Sequence, residues 1–547
     1  MEARIESLSP TSSTNYSLWK ICKENGKPTI SKPPIRLQNN KWARTPQERI
    51  DAFANHLSSV FKPNEAEYDA DERNINQVLQ QDFQLDLPLQ ACSPPEIKKL
   101  IAEMAKNKAP GFDLIDERVL SELPRKGIVY LTILFNSIMR IGYFPALWKI
   151  SQIIMIVKPG KPPNDITSYR PISLLPMISK IFEKMLLRRL LRKLSEKVTI
   201  PNHQFGFRKG HSTVEQVHRV CKVIRDAFER KEYCTAAFLD VQQAFDKVWH
   251  RGLLYKIKTL LPHTFYSILE SYLKDRIFQV KDNETTSSFH DVLAGVPQGS
   301  VLGPVLYTIF TSDLPETHGS TTATFADDTA ILASDPSPIE ASKLLQSSLD
   351  NIDLWLKKWR IKTSATKSVQ VTFSLRKGNC PQVTLGTNVL PTSETVKYLG
   401  IHLDRRLTWR RHIEAKRDEL NIKYRSMQWL LGRNSKLSID NKLLLYNTIL
   451  KPVWTYGIQL WGSASDTNVA KIQRAQNYML KQISNSAWFI KNSELHECLG
   501  MLTVKQEISS CCKKYKDRLT YHQNELAVQL TLPDTINRLK RRKIPKF

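Results

Sequence analysis

Three carboxylates hold the plainest chemistry in this chain. Asp327 and Asp328 are adjacent within Thr322-Ala323-Thr324-Phe325-Ala326-Asp327-Asp328-Thr329-Ala330-Ile331-Leu332, where apolar and β-branched runs flank the acids. That pattern predicts a tight hairpin with acid at its bend. Neighbouring Asp side chains repel, so a fold that displays them must supply positive charge. A hard divalent cation that keeps water and bridges phosphates, typically Mg²⁺, meets the need. A solvated turn competes with this reading, because Asp is a common turn former. The third acid, Asp240, ends the apolar run Phe238-Leu239 and precedes Val241-Gln242-Gln243-Ala244-Phe245-Asp246. Here the sequence predicts a strand that turns directly into a helix through Val248, Trp249, Leu253 and Leu254. If strand end and hairpin tip neighbour each other in one sheet, the acids converge. Two ions about 3.5–4 Å apart, held by such acids, clamp the attacking and leaving oxygens of a phosphoryl transfer, which is the chemistry of polymerases and many nucleases.

Around these acids the sequence places elements suited to phosphate and bases. Gln152 to Val157 predicts a strand, and Lys158-Pro159-Gly160-Lys161-Pro162-Pro163 a turn with two cations. Arg170 follows in Tyr169-Arg170-Pro171-Ile172-Ser173-Leu174, and a guanidinium beside a basic hairpin suits a triphosphate because it binds phosphate oxygens bidentately. A helix then carries Ile178, Ile181, Phe182, Met185 and Leu186 on one face, with Lys184, Arg188, Arg189, Arg192 and Lys193 as a solvated face or a template track. The stretch His203 to Thr213 mixes aromatic, basic and Gly residues, a composition that stacks on bases and pairs with phosphates. In Ala294 to Pro304, three Gly and two Pro exclude an ordinary helix or strand interior, so something must approach that backbone closely.

The wider composition agrees. The 547 residues carry 80 Lys+Arg against 53 Asp+Glu, a net charge of +27 that favours a polyanionic partner such as nucleic acid. Eight Cys lack a repeated spacing, so neither a disulfide framework nor a zinc site is legible. His203, His211, His218 and Cys221 fit no familiar metal pattern and read as core or surface. No leader opens the chain, and the apolar run Leu443 to Gly462 is interrupted by Lys451 and Pro452, which reads as a soluble intracellular protein. Helices are expected through Ile50 to Phe61, and after Ser93-Pro94-Pro95-Glu96, which has the form of a capping box. Another starts at Ser337 with Leu345, Leu349, Ile352 and Leu356 on its core face.

Read in order, Tyr169 to Leu174, His203 to Thr213, Phe238-Leu239-Asp240 with Ala244-Phe245-Asp246, Gly295 to Ser300 with Leu302-Gly303-Pro304, Phe325-Ala326-Asp327-Asp328 and Tyr398-Leu399-Gly400 resemble the ordered reverse-transcriptase motifs of non-LTR (LINE-type) retrotransposons, most closely the jockey-like group. The resemblance covers roughly residues 45 to 500. It implies an α+β right-hand polymerase with fingers, a palm built on an antiparallel sheet and a helical thumb, acting as an RNA-directed DNA polymerase. It implies metal ligation by Asp240, Asp327 and Asp328, with two Mg²⁺ ions, or Mn²⁺ in their place. Lys158 and Arg170 match cations on the incoming nucleotide, Phe245 an aromatic that crowds the sugar 2′ position, and Gln298 and Gly299 the loop beside nucleotide and template. Lys367, in Ala365-Thr366-Lys367, matches a Lys that protonates the leaving pyrophosphate. Tyr398, Leu399 and Gly400 match the turn that holds the primer end.

The resemblance further implies template RNA, a DNA primer or nicked target DNA, and dNTPs as partners, with target-primed synthesis in the nucleus. Full-length relatives carry an upstream endonuclease; this chain is expected to begin in the linker after it, with an endonuclease or an element-encoded RNA-binding protein supplied separately. The expected divisions are a linker at 1–45, an N-terminal helical extension at 46–137, the reverse transcriptase domain at 138–403, a thumb at 404–500 and a basic tail region at 501–547. An inactive or co-opted RNA-binding relic of such an element is the alternative reading, and an intron maturase a third.

Overall fold

Two larger β-sheets are laid down alternately along the chain, and the helices between them decide which faces are buried. The structure, a computed structural model, describes residues 33–532 and 538–539, apart from 38–40, 66–68, 83–86, 107 and 197–199. Helix α1 (Pro46–Val60) opens on a capping box in which the Thr45 side chain accepts from the Glu48 amide and Glu48 reaches back. Its Ile50, Phe53 and Leu57 pack with Ile35, Ala43, Ile153 and Phe278. Residues expected to act as linker therefore differ where they are described: Ile35–Arg36 pairs with Trp42–Ala43, and Ile35 is fully buried. Pro- and Asn-rich composition masked two short apolar contacts. The rest of that stretch, 1–32, lies outside the described residues. At the helix Pro94–Ala102, Ser93 makes no side-chain cap, and the Glu96 carboxylate that would complete a capping box is instead paired with Arg189 at 3.0 Å.

Strands β1 (Ile150–Val157) and β2 (Tyr169–Leu174) pair antiparallel, with Ile156 opposite Arg170. Helix α2 (Met177–Glu196) buries Ile181, Phe182, Met185 and Leu186, and α3 (Thr213–Glu229) starts from the Ser212/Glu215 capping box. Strand β3 (Tyr233–Leu239) ends at Asp240, but the chain does not pass straight into a helix. Residues 241–249 form turns, and α4 (His250–Leu260) begins later. The reason is competition for carbonyls: Phe245 and Val248 accept from the Val296 and Gly295 amides, acceptors that a continuous helix would have used itself. Strand β4 (Arg276–Asp282) then returns parallel to β1, completing the core of the fingers sheet.

Helix α5 (Gly303–Phe310) leads to the hairpin of β5 (Ser320–Phe325) and β6 (Asp328–Asp335), followed by α6 (Pro338–Lys358) and β7 (Val369–Phe373). The palm sheet runs β7-β3-β6-β5, antiparallel throughout. Side chains alternate across it. Cys234, Ala236, Phe238, Ala330 and Leu332 meet Val220, Ile224 and Phe228 of α3, while Ala237, Leu239, Ile331 and Ala333 meet Leu345, Leu349, Ile352 and Leu356 of α6. Burial on both faces explains why β3 reads as a continuous apolar run. Each large side chain so buried contributes on the order of 1.5–3 kcal/mol, which fixes the register on which the acids depend.

A hairpin of β8 (Thr395–Tyr398) and β9 (Ile401–Asp404) leads into thumb helices that include α7 (Arg410–Ser426) and α8 (Asp466–Ile483). The last long helix, α9 (Val504–Thr520), stands where a basic tail is expected. Its Val504, Ile508 and Cys512 join the thumb core, and Tyr515 and Leu519 pack on Phe205. Of the basic run 537–543, only Arg538 and Leu539 are described, bonded to the end of α3 at Glu229. The molecule thus has the α+β right-hand architecture of fingers, palm and thumb. Among the described residues no helix is long and apolar enough to cross a membrane.

Candidate active site

The palm sheet sets the three acids by register. Thr329 of β6 lies opposite Leu239 of β3, so Asp328 and Asp240, one residue beyond each, come to the same sheet edge. Asp327 occupies the two-residue bend between Phe325 and Asp328, which pair across the hairpin. The other bend residue, Ala326, has φ +59, a conformation usually left to Gly at the first position of such a turn. Its strain is held from outside. Gln204 Oε1 accepts from the Ala326 amide at 2.9 Å and from the Gly206 amide at 2.8 Å, and Gln204 Nε2 donates to the Ala326 carbonyl at 3.4 Å. Gly206 has to lack a side chain, because a Cβ there would sit 2.2 Å from the Ala326 nitrogen. Gln216 Nε2 adds bonds to the His203 and Thr324 carbonyls, at 3.0 and 2.9 Å.

The stretch 203–213, expected to meet bases, therefore serves chiefly as a clamp on the acid hairpin. Phe205 is fully buried, and Arg208 is spent on the Pro201 and Gln204 carbonyls. Phe207 alone among its aromatics stays half exposed, at 52%. Sequence reasoning missed Gln204, and the readable signal was Gly206 between two aromatics, which marks a close backbone approach.

Crowding of like charge shows in the protonation of the acids. Burial, then the charges of Asp327 and Asp240, push the Asp328 carboxyl up to about 6, although part of its surface stays exposed. Asp327 is raised by burial and by Asp240, with the Arg170 guanidinium opposing. Cations face them from two sides. Lys367 Nζ stands 3.4 Å from Asp240 Oδ2. Lys158 donates to the Thr167 carbonyl at 2.9 Å and is held below its usual value by burial, then by Lys367 and Arg170. Fingers and palm therefore place Lys158, Arg170 and Lys367 around one space.

Beneath the acids lies an aromatic floor. The half-buried Phe245 stacks on Tyr307 of α5 at 4.7 Å and 19°, and meets Phe207 edge-on at 5.7 Å. The buried Tyr307 phenol is raised by desolvation, then by Asp327 and Asp328. The Gly-rich loop binds fingers to palm. Gln298 Nε2 donates to Asp246 Oδ1 at 2.7 Å, and the Gln298 carbonyl accepts from the Ser173 amide of β2 at 2.8 Å. Gly295 and Gly299 have positive φ, and Cβ atoms there would lie 2.7 Å from the carbonyls of Asp246 and Ser173. What approaches this loop so closely is the chain itself. The Tyr398 ring is buried on Phe238 with its hydroxyl donating to Ala323, so only Leu399 and Gly400 present partly open surface, braced by Tyr456 at the Leu399 carbonyl.

The donor set, hard oxygens on carboxyls raised by burial and then by one another's charge, fits a divalent cation better than any apolar or soft ligand. Among the described residues no group of three or more His, Cys, Asp or Glu is gathered tightly enough to hold an ion alone.

Residues 156–403 match the family model described as reverse transcriptase (RNA-dependent DNA polymerase). The chain is 41% identical, over 98% of its length, to the RNA-directed DNA polymerase from mobile element jockey of Drosophila melanogaster. It is 40% identical, over 99%, to the probable RNA-directed DNA polymerase from transposon X-element of the same fly. The jockey polymerase of Drosophila funebris is 41% identical over 96%. The chain spans about 60% of the length of these relatives: 60% of the first two and 58% of the third. Residues 156–403 thus carry a reverse transcriptase (RNA-dependent DNA polymerase) domain, within a chain that is similar over nearly its whole length to the polymerases of jockey and related mobile elements.

Proposed function

We propose that the chain is an RNA-directed DNA polymerase of a non-LTR retrotransposon, copying element RNA into complementary DNA. The observation that carries this reading is the approach of Asp240, Asp327 and Asp328 at one sheet edge, opposite Lys158, Arg170 and Lys367. Acids on one side and cations on the other match the two needs of nucleotidyl transfer, an activated hydroxyl and a neutralised triphosphate. The names of the similar fly proteins support the same reading.

In this reading Asp240, Asp327 and Asp328 would hold two Mg²⁺ ions. When bound, the ions lower the pKa of the primer 3′-hydroxyl and neutralise charge on the departing pyrophosphate. Arg170 and Lys158 grip the triphosphate, Lys367 gives a proton to the leaving group, and the open edge of Phe245 excludes a 2′-hydroxyl. The Gln298–Gly299 loop, tied to β2, keeps Arg170 in register with the palm. Leu399 and Gly400 support the primer end, with Tyr398 as their buried footing. The primer 3′-oxygen bonds to the α-phosphorus as the bond to pyrophosphate breaks. Template RNA, a primer at nicked target DNA and dNTPs are the partners, and target-primed synthesis places the work in the nucleus.

Primer extension on oligo(dT)-primed poly(rA) with Mg²⁺ tests the assignment. The wild-type chain should synthesise DNA, and Asp327→Asn should lose at least about 10³-fold in rate while binding RNA as before. Synthesis that survives Asp327→Asn would overturn the site.

A further inference from the structure

Away from the cleft, the thumb displays aromatic surface for which the polymerase reading has no use. After α8 the chain turns through Asn485, at φ +53. The Ser486 amide donates to the Lys481 carbonyl and the Ile490 amide to the Ala487 carbonyl, each at 3.3 Å, so the turn has a fixed shape. At its rim Trp488 and Phe489 are 85% and 70% exposed, their rings crossed at 83° with centroids 5.9 Å apart. Isolated exposed apolar residues are ordinary, but two adjacent large aromatics held outward by a bonded turn are not.

The setting is cationic. Lys481 Nζ donates to the Trp488 carbonyl at 3.1 Å, and Arg433 donates to the Ser486 carbonyl at 3.4 Å. The Arg433 charge also acts on the Tyr424 phenol, whose ring meets the 54% exposed Tyr478 edge-on. Residues 423–436 include Lys423, Arg425, Arg433 and Lys436 and no acid; residues 474–493 include Arg474, Lys481 and Lys491 and no acid. An aromatic pair with two cations at its base, Lys481 and Arg433, matches unpaired bases on a phosphate backbone, because every base offers a π-face and every phosphate a charge. Duplex bases are already stacked and offer no such face. A second copy of this chain, at +27, is electrostatically the wrong occupant.

We propose that the Trp488–Phe489 turn is a stacking site for single-stranded nucleic acid on the thumb, separate from the polymerase cleft. It rests on the polymerase reading only for the source of the strand, an unpaired stretch of template or target.

Binding of labelled oligo(U), oligo(dT) and a duplex to wild type and to a Trp488→Ala/Phe489→Ala variant tests it. The variant should bind both single strands roughly 10- to 100-fold more weakly and the duplex about equally. Trp488→Tyr/Phe489→Tyr, which keeps the π-faces, should recover most of the single-strand affinity. Loss confined to oligo(U) or to oligo(dT) would overturn the proposal, because stacking does not require or exclude the 2′-hydroxyl. Unchanged single-strand affinity in the alanine variant would overturn it, as would equal losses for duplex and single strand. So would sedimentation showing a wild-type dimer that the alanine variant dissolves without change in oligonucleotide affinity. Primer extension run in parallel separates the two readings: a wild type that binds strands through this turn but extends no primer would defeat the polymerase assignment and leave this site standing.

Discussion

The strained residue of the acid hairpin has a cheap-looking but exacting support. Ala326 keeps φ +59 because Gln204 satisfies both its amide and its carbonyl in a buried setting. Deleting that side chain leaves two buried amide donors, of Ala326 and Gly206, unpaired, a cost of about 1–3 kcal/mol each. It also frees a turn whose position sets Asp327 and Asp328, and a displacement of about 1 Å at reacting groups costs on the order of 10²-fold in rate. We expect Gln204→Ala to lower the rate of nucleotide addition roughly 10- to 100-fold with little change in primer–template affinity. Gln204→Met, which keeps the volume but neither accepts nor donates, should lose as much. Steady-state kinetics with a parallel binding measurement check both; full activity in the Met variant would show that Gln204 only fills space. Gln204 is a positioning residue, since its contacts are to the hairpin and to Gly206.

At the scale of elements, the joint between fingers and palm is a loop with no room to spare. Gly299 has φ +120 and a Cβ there would lie 2.7 Å from the Ser173 carbonyl, whereas Gly160 has φ +73 and nothing within 4 Å. Gly299→Ala should therefore cost more than Gly160→Ala, which carries only backbone strain, roughly 1–3 kcal/mol. Urea unfolding checks the order, and equal midpoints would show that the loop yields. Because β2 carries Arg170, Gly299→Ala should also weaken dNTP binding. Elements whose cause is local were legible in the sequence. The acid hairpin lies between two β-forming runs, and α6 repeats Leu345, Leu349, Ile352 and Leu356 at helical spacing. Elements decided at long range were not. Ser93-Pro94-Pro95-Glu96 has the form of a cap, yet Arg189 takes the Glu96 carboxylate. The turn at 241–249 exists because the distant 295–296 amides claim its carbonyls. The Gln204 clamp joins residues 122 apart in the chain. Helix α9 was open to reading, since Val504, Ile508, Cys512, Tyr515 and Leu519 show a helical repeat beneath a basic composition.

For the whole molecule, the titrating groups make a statement about acid. Burial holds seven histidines below their usual value: His56, His203, His211, His218, His250, His402 and His412. His250 lies at about 4 and His412 at about 3. A base depressed in the folded chain is protonated first in the unfolded one, so its stabilisation is complete above about 6.5 and is lost as pH falls toward the folded value. Buried acids work the other way. Burial raises Asp246 to about 6, so its share is present at low pH and lost as pH rises from about 4 to 6. Glu183, Asp327 and Asp328 are raised as well. Seven bases against four acids leave a net uptake of protons on unfolding in acid, and a chain already at +27 gains further self-repulsion as it charges. Stability should therefore fall between pH 6.5 and 4.5. The fully buried His412 alone should contribute on the order of 3 kcal/mol of that fall. Replacing it as His412→Asn, which keeps an acceptor for the His402 amide, should flatten the dependence by that amount when urea midpoints are compared at the two pH values. A wild-type chain equally stable at both would mean that the raised acids outweigh the histidines, and the balance of charge in the core would have to be drawn the other way.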